Sequence, residues 1–161
     1  MEEKMTPHEK RAAELFLSGA GCSQAVFCAF CDLHGIDTDT AARLTSSMGG
    51  GIGRQREVCG ALSGAVLAAG LLYGFGLDHT GAEKTAHYAR VREISSLFRE
   101  ELGSIVCREI LAARMGKNAP SDAPVPEPRT AEFYSRRPCL DAVRLAARVL
   151  DGYIERNRIN N

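Results

Sequence analysis

The sequence predicts an all-α protein: a single-domain bundle of about six to seven helices around a buried, glycine-rich central helix. Three observations predict it. No segment sustains the apolar–polar alternation of a strand, and Val, Ile and Thr rarely cluster. Apolar residues recur at helical spacing in segment after segment. Glycine, proline and capping residues punctuate those segments where helices start and stop. A chain of 161 residues is long enough to bury a core without disulfides. The expected domain spans residues 1–161, with a proline-rich loop at 116–130 inside it.

Thr6-Pro7-His8-Glu9 reads as a capped start with proline in the first turn, opening a helix that runs to about Leu17. Ser18-Gly19-Ala20-Gly21 breaks it. A second helix is expected from Cys22 to about His34, stopped by Gly35, and a third from about Thr38 to Ser47. Residues 48–58 hold Gly49, Gly50, Gly51 and Gly53 and cannot be helical. The central helix follows, Cys59 to about Tyr73, with Gly60 and Gly64 four apart on one face, permitting close approach of another backbone. That face suits packing within the chain or against a second copy, so a homodimer is compatible with it. A long amphipathic helix spans about Thr80 to Leu102, with Ala86, Ala89, Ile94, Leu97 and Phe98 as its expected apolar contacts. Gly103-Ser104 resets the chain before a shorter helix, Cys107 to about Ala113. Pro120, Pro124, Pro126 and Pro128 make the next stretch extended. The last helix runs from about Pro138 to Ile154.

Twenty Lys and Arg balance twenty Asp and Glu. With no basic block, this argues against nucleic acid as a partner. Val58 to Leu77 carries no charge and has the length of a membrane span, but it stands alone among amphipathic segments, so a buried soluble helix is the expectation. The acidic start, Met1-Glu2-Glu3-Lys4, has no apolar stretch of a secretory leader. The expected location is cytoplasmic, where thiols stay reduced unless they are catalytic, redox-sensing or metal-bound.

Six cysteines are many for this length. Cys22, Cys59 and Cys139 each stand where a helix begins, and a helix start favours the thiolate, the form that attacks disulfides and binds metals. The glycine loop before Cys59 offers backbone N–H groups to its sulfur or to an anion, and Arg54 and Arg56 add positive potential if they fold back. Arg136 and Arg137 flank Cys139. Cys107 lies within Ile105-Val106-Cys107, a setting that suits a core residue. Cys28 and Cys31 form a Cys-x-x-Cys in a helix interior, where two small buried apolar residues are the simpler account. His79 and His87 read as surface or capping histidines, His8 and His34 have no constellation, and Glu57 reads as a solvated loop carboxylate.

Cys59-Gly60-Ala61-Leu62-Ser63-Gly64, with Gly21-Cys22-Ser23-Gln24-Ala25 before it and single cysteines well after it, resembles the redox-active CGAxxG family, written C_GCAxxG_C_C after its cysteine order. The resemblance runs from about Gly19 to about Arg148. It maps the family's four cysteines to Cys22, Cys59, Cys107 and Cys139, and leaves out Cys28 and Cys31. It implies a helical fold, thiol chemistry and a functional link to a transporter, since the family's genes often lie near transporter genes. It names no substrate and no redox partner.

Two chemistries fit four converging thiols. In thiol–disulfide exchange, Cys59 would be a low-pKa attacking thiolate, with Cys22 or Cys139 resolving the mixed disulfide. In the alternative, Cys22, Cys59, Cys107 and Cys139 would hold zinc or an iron–sulfur cluster. Intervals of 36, 47 and 31 residues between successive cysteines leave no short chelate among the four. The third possibility is a helical accessory protein with inert thiols.

Overall fold

The structure, a computed structural model, describes residues 4–158; residues 1–3, the start of the acidic N-terminus, lie outside it. It holds nine α-helices among the described residues: α1 Pro7–Leu17, α2 Cys22–Ala29, α3 Cys31–His34, α4 Thr38–Thr45, α5 Gly60–Tyr73, α6 Gly81–Leu102, α7 Cys107–Met115, α8 Ala131–Arg136 and α9 Cys139–Arg156. The only β pairing among these residues is an isolated bridge, Val58 to Val106.

The count exceeds six to seven for two reasons. The segment expected to run from Cys22 to His34 breaks at Phe30, whose backbone (φ −100°, ψ 12°) leaves the helical region. Its ring is fully buried and stacks on His8, with centroids 4.3 Å apart. The short α8 is new; its start is capped by the Thr130 hydroxyl, which accepts from the Phe133 N–H at 3.1 Å.

α5 packs on α2, α9 and α6. Gly60 through Ala65, with Ala68 and Ala69, are buried. Gly64 lets α2 lie directly against α5: a Cβ there would stand 2.6 Å from the Ser23 carbonyl oxygen and 3.1 Å from Val26 Cβ. The Gly60/Gly64 face is therefore taken up within the chain, and a second copy would need another surface. α5 ends at Gly74, and among the described residues no helix is long and apolar enough to cross a membrane.

α9 shows the helical stripe most plainly, burying Ala142, Val143, Ala146, Val149, Leu150 and Tyr153. Beside that stripe, Arg144 and Arg148 reach the buried Glu9 of α1 at 3.2 and 3.4 Å. α6 departs from expectation. Only Ile94 and Phe98 are buried, while Ala86 and Ala89 are exposed. Its tie to the body near Ala89 is polar: Arg90 donates to the Tyr153 hydroxyl at 2.9 Å and the Tyr73 carbonyl at 3.2 Å.

Candidate functional site

Five helices begin at or directly after a cysteine, and four of those cysteines, Cys22, Cys59, Cys107 and Cys139, line one cavity of about 470 Å³. Cys22, Cys107 and Cys139 are the first residues of α2, α7 and α9, and Cys59 is the residue that caps α5. The convergence has identifiable causes. The chains entering α5 and α7 run side by side through the Val58–Val106 bridge. There the Cys59 N–H donates to the Ile105 carbonyl at 2.8 Å, and the Cys107 N–H to the Glu57 carbonyl at 2.6 Å. Cys22 is brought in by Gly60: a Cβ at that position would run into the Cys22 Sγ, and would lie 2.8 Å from the Met48 carbonyl oxygen. In Cys59-Gly60-Ala61-Leu62-Ser63-Gly64, one glycine thus seats a thiol and the other seats the helix that carries it.

The loop before Cys59 is a left-handed turn. Gly50, Gly51, Ile52, Gly53 and Arg54 have consecutive φ values between +55° and +71°, and Arg56 follows at +62°. Non-glycine residues pay about 1–2 kcal/mol each for this region, so neighbouring contacts must hold them there. The loop closes on itself: Arg54, Arg56 and Glu57 donate their N–H groups to the Gly49, Gly50 and Gly51 carbonyls at 3.0–3.1 Å. The N–H groups of Arg54, Arg56 and Glu57 are therefore not offered to a sulfur or an anion. The loop also presents side chains to the cavity. Arg54 donates to the carbonyls of Ala123 and Val125 and pairs with Glu127 at 2.9 Å. Arg56, buried at 6% exposure, donates to the Ser121 carbonyl at 3.0 Å and to Cys107 Sγ at 3.9 Å. Two arginines thus hold the proline-rich segment against the cavity, whose lining includes Pro124 and Pro126.

Arg129 and Arg137 line the remaining wall. Arg129 donates to the Phe16 and Ala20 carbonyls at 3.3 and 3.1 Å. Arg137 lies over the Phe133 ring, 4.2 Å from its centroid, and pairs with Glu127 at 2.9 Å. The sequence pointed to the pair Arg136 and Arg137 beside Cys139, but Arg136 turns outward to an exposed pair with Glu132. Arg129 and Glu127 had no local signal, since only the path of the proline segment brings them to the thiols.

Burial reverses the expected thiol chemistry. Cys59 was expected to be held low by its helix start. Desolvation pushes it well up instead, and the neighbouring Cys22 adds to this. The N–H groups of Leu62 and Ala61 oppose the shift without overcoming it. Cys139 is pushed up to about 12, again by burial first and Cys22 second, with Arg137 opposing. Cys107 is raised by burial, and the hydrogen bond from Arg56 pulls against that. Cys59 and Cys107 are 8% and 9% exposed, whereas Cys22 and Cys139 are half-buried.

Other candidates lie elsewhere. Cys28 and Cys31 are outside the cavity, flanking the α2–α3 break. Burial, then Cys31, pushes Cys28 up to about 11. His79 bonds the Gly76 carbonyl at 2.7 Å, and His87 meets Arg90 at 2.9 Å. Glu57 pairs with Arg108 in solvent rather than with Cys59. Among the described residues, no three His, Cys, Asp or Glu side chains form a group that could hold a metal ion. A zinc ion held by these four cysteines would need their thiolates at about 2.3 Å from one point. The zinc alternative at Cys22, Cys59, Cys107 and Cys139 is therefore not met by this arrangement, in which the thiols line a cavity instead.

Comparison with known families gives a match: the model of a family described as "Putative redox-active protein (C_GCAxxG_C_C)" covers residues 20–153. No curated protein matches the chain. No solved structure matches it.

Proposed function

From the premise that the chain belongs to the redox-active C_GCAxxG_C_C family, we propose that it performs thiol–disulfide exchange in its four-cysteine cavity, with Cys22 as the entering thiol and Cys59 as its partner. The observation that carries the reading is the seat of Cys22 Sγ on Gly60, the residue next to Cys59. Cys22 is half-buried and so reachable, and it is the thiol whose charge bears on Cys59, Cys107 and Cys139 alike.

The exchange balances as follows. Cys22 Sγ, as thiolate, attacks one sulfur of a substrate disulfide and breaks its S–S bond, and the released sulfur takes a proton as thiol. Cys59 Sγ, giving up its proton, attacks the mixed disulfide at Cys22 and releases the second thiol. Two electrons pass from the protein dithiol to the substrate disulfide. A dithiol donor resets the protein. The reading places this cycle in a single domain in the cytoplasm, where such a donor keeps the thiols reduced.

The test equilibrates the protein in reduced and oxidised dithiothreitol at a series of ratios and counts free thiols. Reversible loss of two of the six thiols in the wild type, abolished in Cys22→Ser, is the expected result. Retention of all six at every ratio would overturn the reading. So would native mass spectra of anaerobically purified protein showing iron and sulfide that disappear when the cavity cysteines are replaced, the outcome an iron–sulfur cluster requires.

A further inference from the structure

The thiol cavity carries an excess of positive charge that exchange between the protein's own sulfurs does not use. Arg54 and Arg137 share one carboxylate, Glu127. Arg56 is buried, at 6% exposure, yet among the described residues it pairs with no carboxylate; its partners are the Ser121 carbonyl and Cys107 Sγ. Arg129, which is exposed, has among the described residues only carbonyl, hydroxyl and aromatic partners. With the thiols neutral, the buried or half-buried Arg54, Arg56 and Arg137 and one carboxylate leave two uncompensated positive charges, among the described residues, around a space of about 470 Å³ that the solvent-exposed Arg129 also lines. A buried cation without a counter-ion is costly, and a bound anion lowers that cost. The space is the size of a small-molecule site.

We propose that the substrate of this cavity is a small disulfide bearing carboxylate groups, held by Arg56, Arg129 and Arg137 with its S–S bond at Cys22. This rests on the exchange reading above and supplies its substrate class. The charges act twice. They bind the substrate's carboxylates, and they stabilise the thiolate that leaves when Cys22 Sγ bonds to one substrate sulfur. The balance is unchanged: one substrate disulfide and the protein dithiol give two substrate thiols and one protein disulfide. Arginine suits the role because it stays charged at every working pH and grips a carboxylate with two parallel N–H groups.

The experiment follows loss of protein thiols in single-turnover mixing of fully reduced protein with three disulfides of similar length: 3,3′-dithiodipropionate (anionic), bis(2-hydroxyethyl) disulfide (neutral) and cystamine (cationic). Diamide, a neutral thiol oxidant, serves as the control. The expected order is anionic over neutral over cationic, with at least about a tenfold step from anionic to neutral at low salt. The step should shrink as ionic strength rises. This salt series uses only the wild type, so it stands even where a variant fails to fold. Arg137→Gln should cut the anionic rate more than the neutral rate and so narrow the step between them. Equal rates for all three disulfides, or a faster cationic one, with diamide still forming the protein disulfide, would overturn the substrate class alone. No disulfide with any reagent, diamide included, would overturn the exchange reading beneath it.

Discussion

The two ends of α2 each present cysteine, in opposite surroundings. At its N-terminal end Cys22 opens the helix, rests on Gly60 and faces a cavity walled by arginines. At its C-terminal end Cys28 is buried beside Cys31, within 4.0 Å of the Thr38 carbonyl, and Cys31 feels the carboxylates of Asp32 and Asp37. His8 completes that second environment, stacked on Phe30 and bonded to Asp151 at 2.6 Å and Asp32 at 3.0 Å. Both ends hold thiols close together, so proximity alone does not make a redox site. The difference lies in the field and in access: one end gathers cations at a cavity, the other gathers carboxylates around a packed turn.

Breaking the seat of α2 should have the largest effect. Gly64→Ala puts a Cβ 2.6 Å from the Ser23 carbonyl, which belongs to a helix that cannot yield like a side-chain tip. The expected loss is about 3 kcal/mol in urea unfolding. Gly70→Ala, on the same helix with nothing within 4 Å, should instead gain up to about 1 kcal/mol. Equal losses at the two sites would deny that Gly64 is a contact residue.

A kinetic comparison comes next. Burial raises Cys28 from 9.0 to about 11. At pH 8 its thiolate fraction falls about a hundredfold, so iodoacetamide should label it about a hundredfold more slowly in the folded protein than in urea. Cys22 should be the first thiol labelled in the folded protein. Labelling of Cys28 ahead of Cys22, read by peptide mass spectrometry, would erase the contrast between the ends.

The smallest effect concerns His8. Its hydrogen bond to Asp151 raises its pKa above the ordinary 6.5 despite opposing burial, with Asp32 adding to the rise. A folded-state pKa above the unfolded one stabilises the protein fully below pH 6.5, and that contribution is lost as pH rises through the raised value. His8→Ala should cost about 2 kcal/mol at pH 5.5 and less at pH 8.5. A cost that grows with pH would show that the imidazole is held neutral.

Much of this was legible in the sequence because its signals are local. Thr6-Pro7 marks a helix start that the structure keeps, with Thr6 accepting from the Glu9 N–H at 3.0 Å. The cysteines stand at helix starts for the same local reason. What was not legible depends on distant parts of the chain. A helix start predicts a low thiol pKa, but whether water reaches that start is decided by α2, α7 and α9 closing around Cys59, and desolvation outweighs the backbone N–H groups. The glycine loop announced an irregular turn, yet not a left-handed one that carries Arg54 and Arg56 at positive φ. The break at Phe30 was hidden because its apolar side chain fits the helical pattern on either side.

The most direct test of the central claim is a peptide map of the folded protein after mild oxidation, read without reduction. The account predicts a Cys22–Cys59 disulfide, with Cys28 and Cys31 recovered as thiols. A Cys28–Cys31 disulfide with Cys22 and Cys59 still reduced would contradict it, because the redox centre would then lie at the other end of α2.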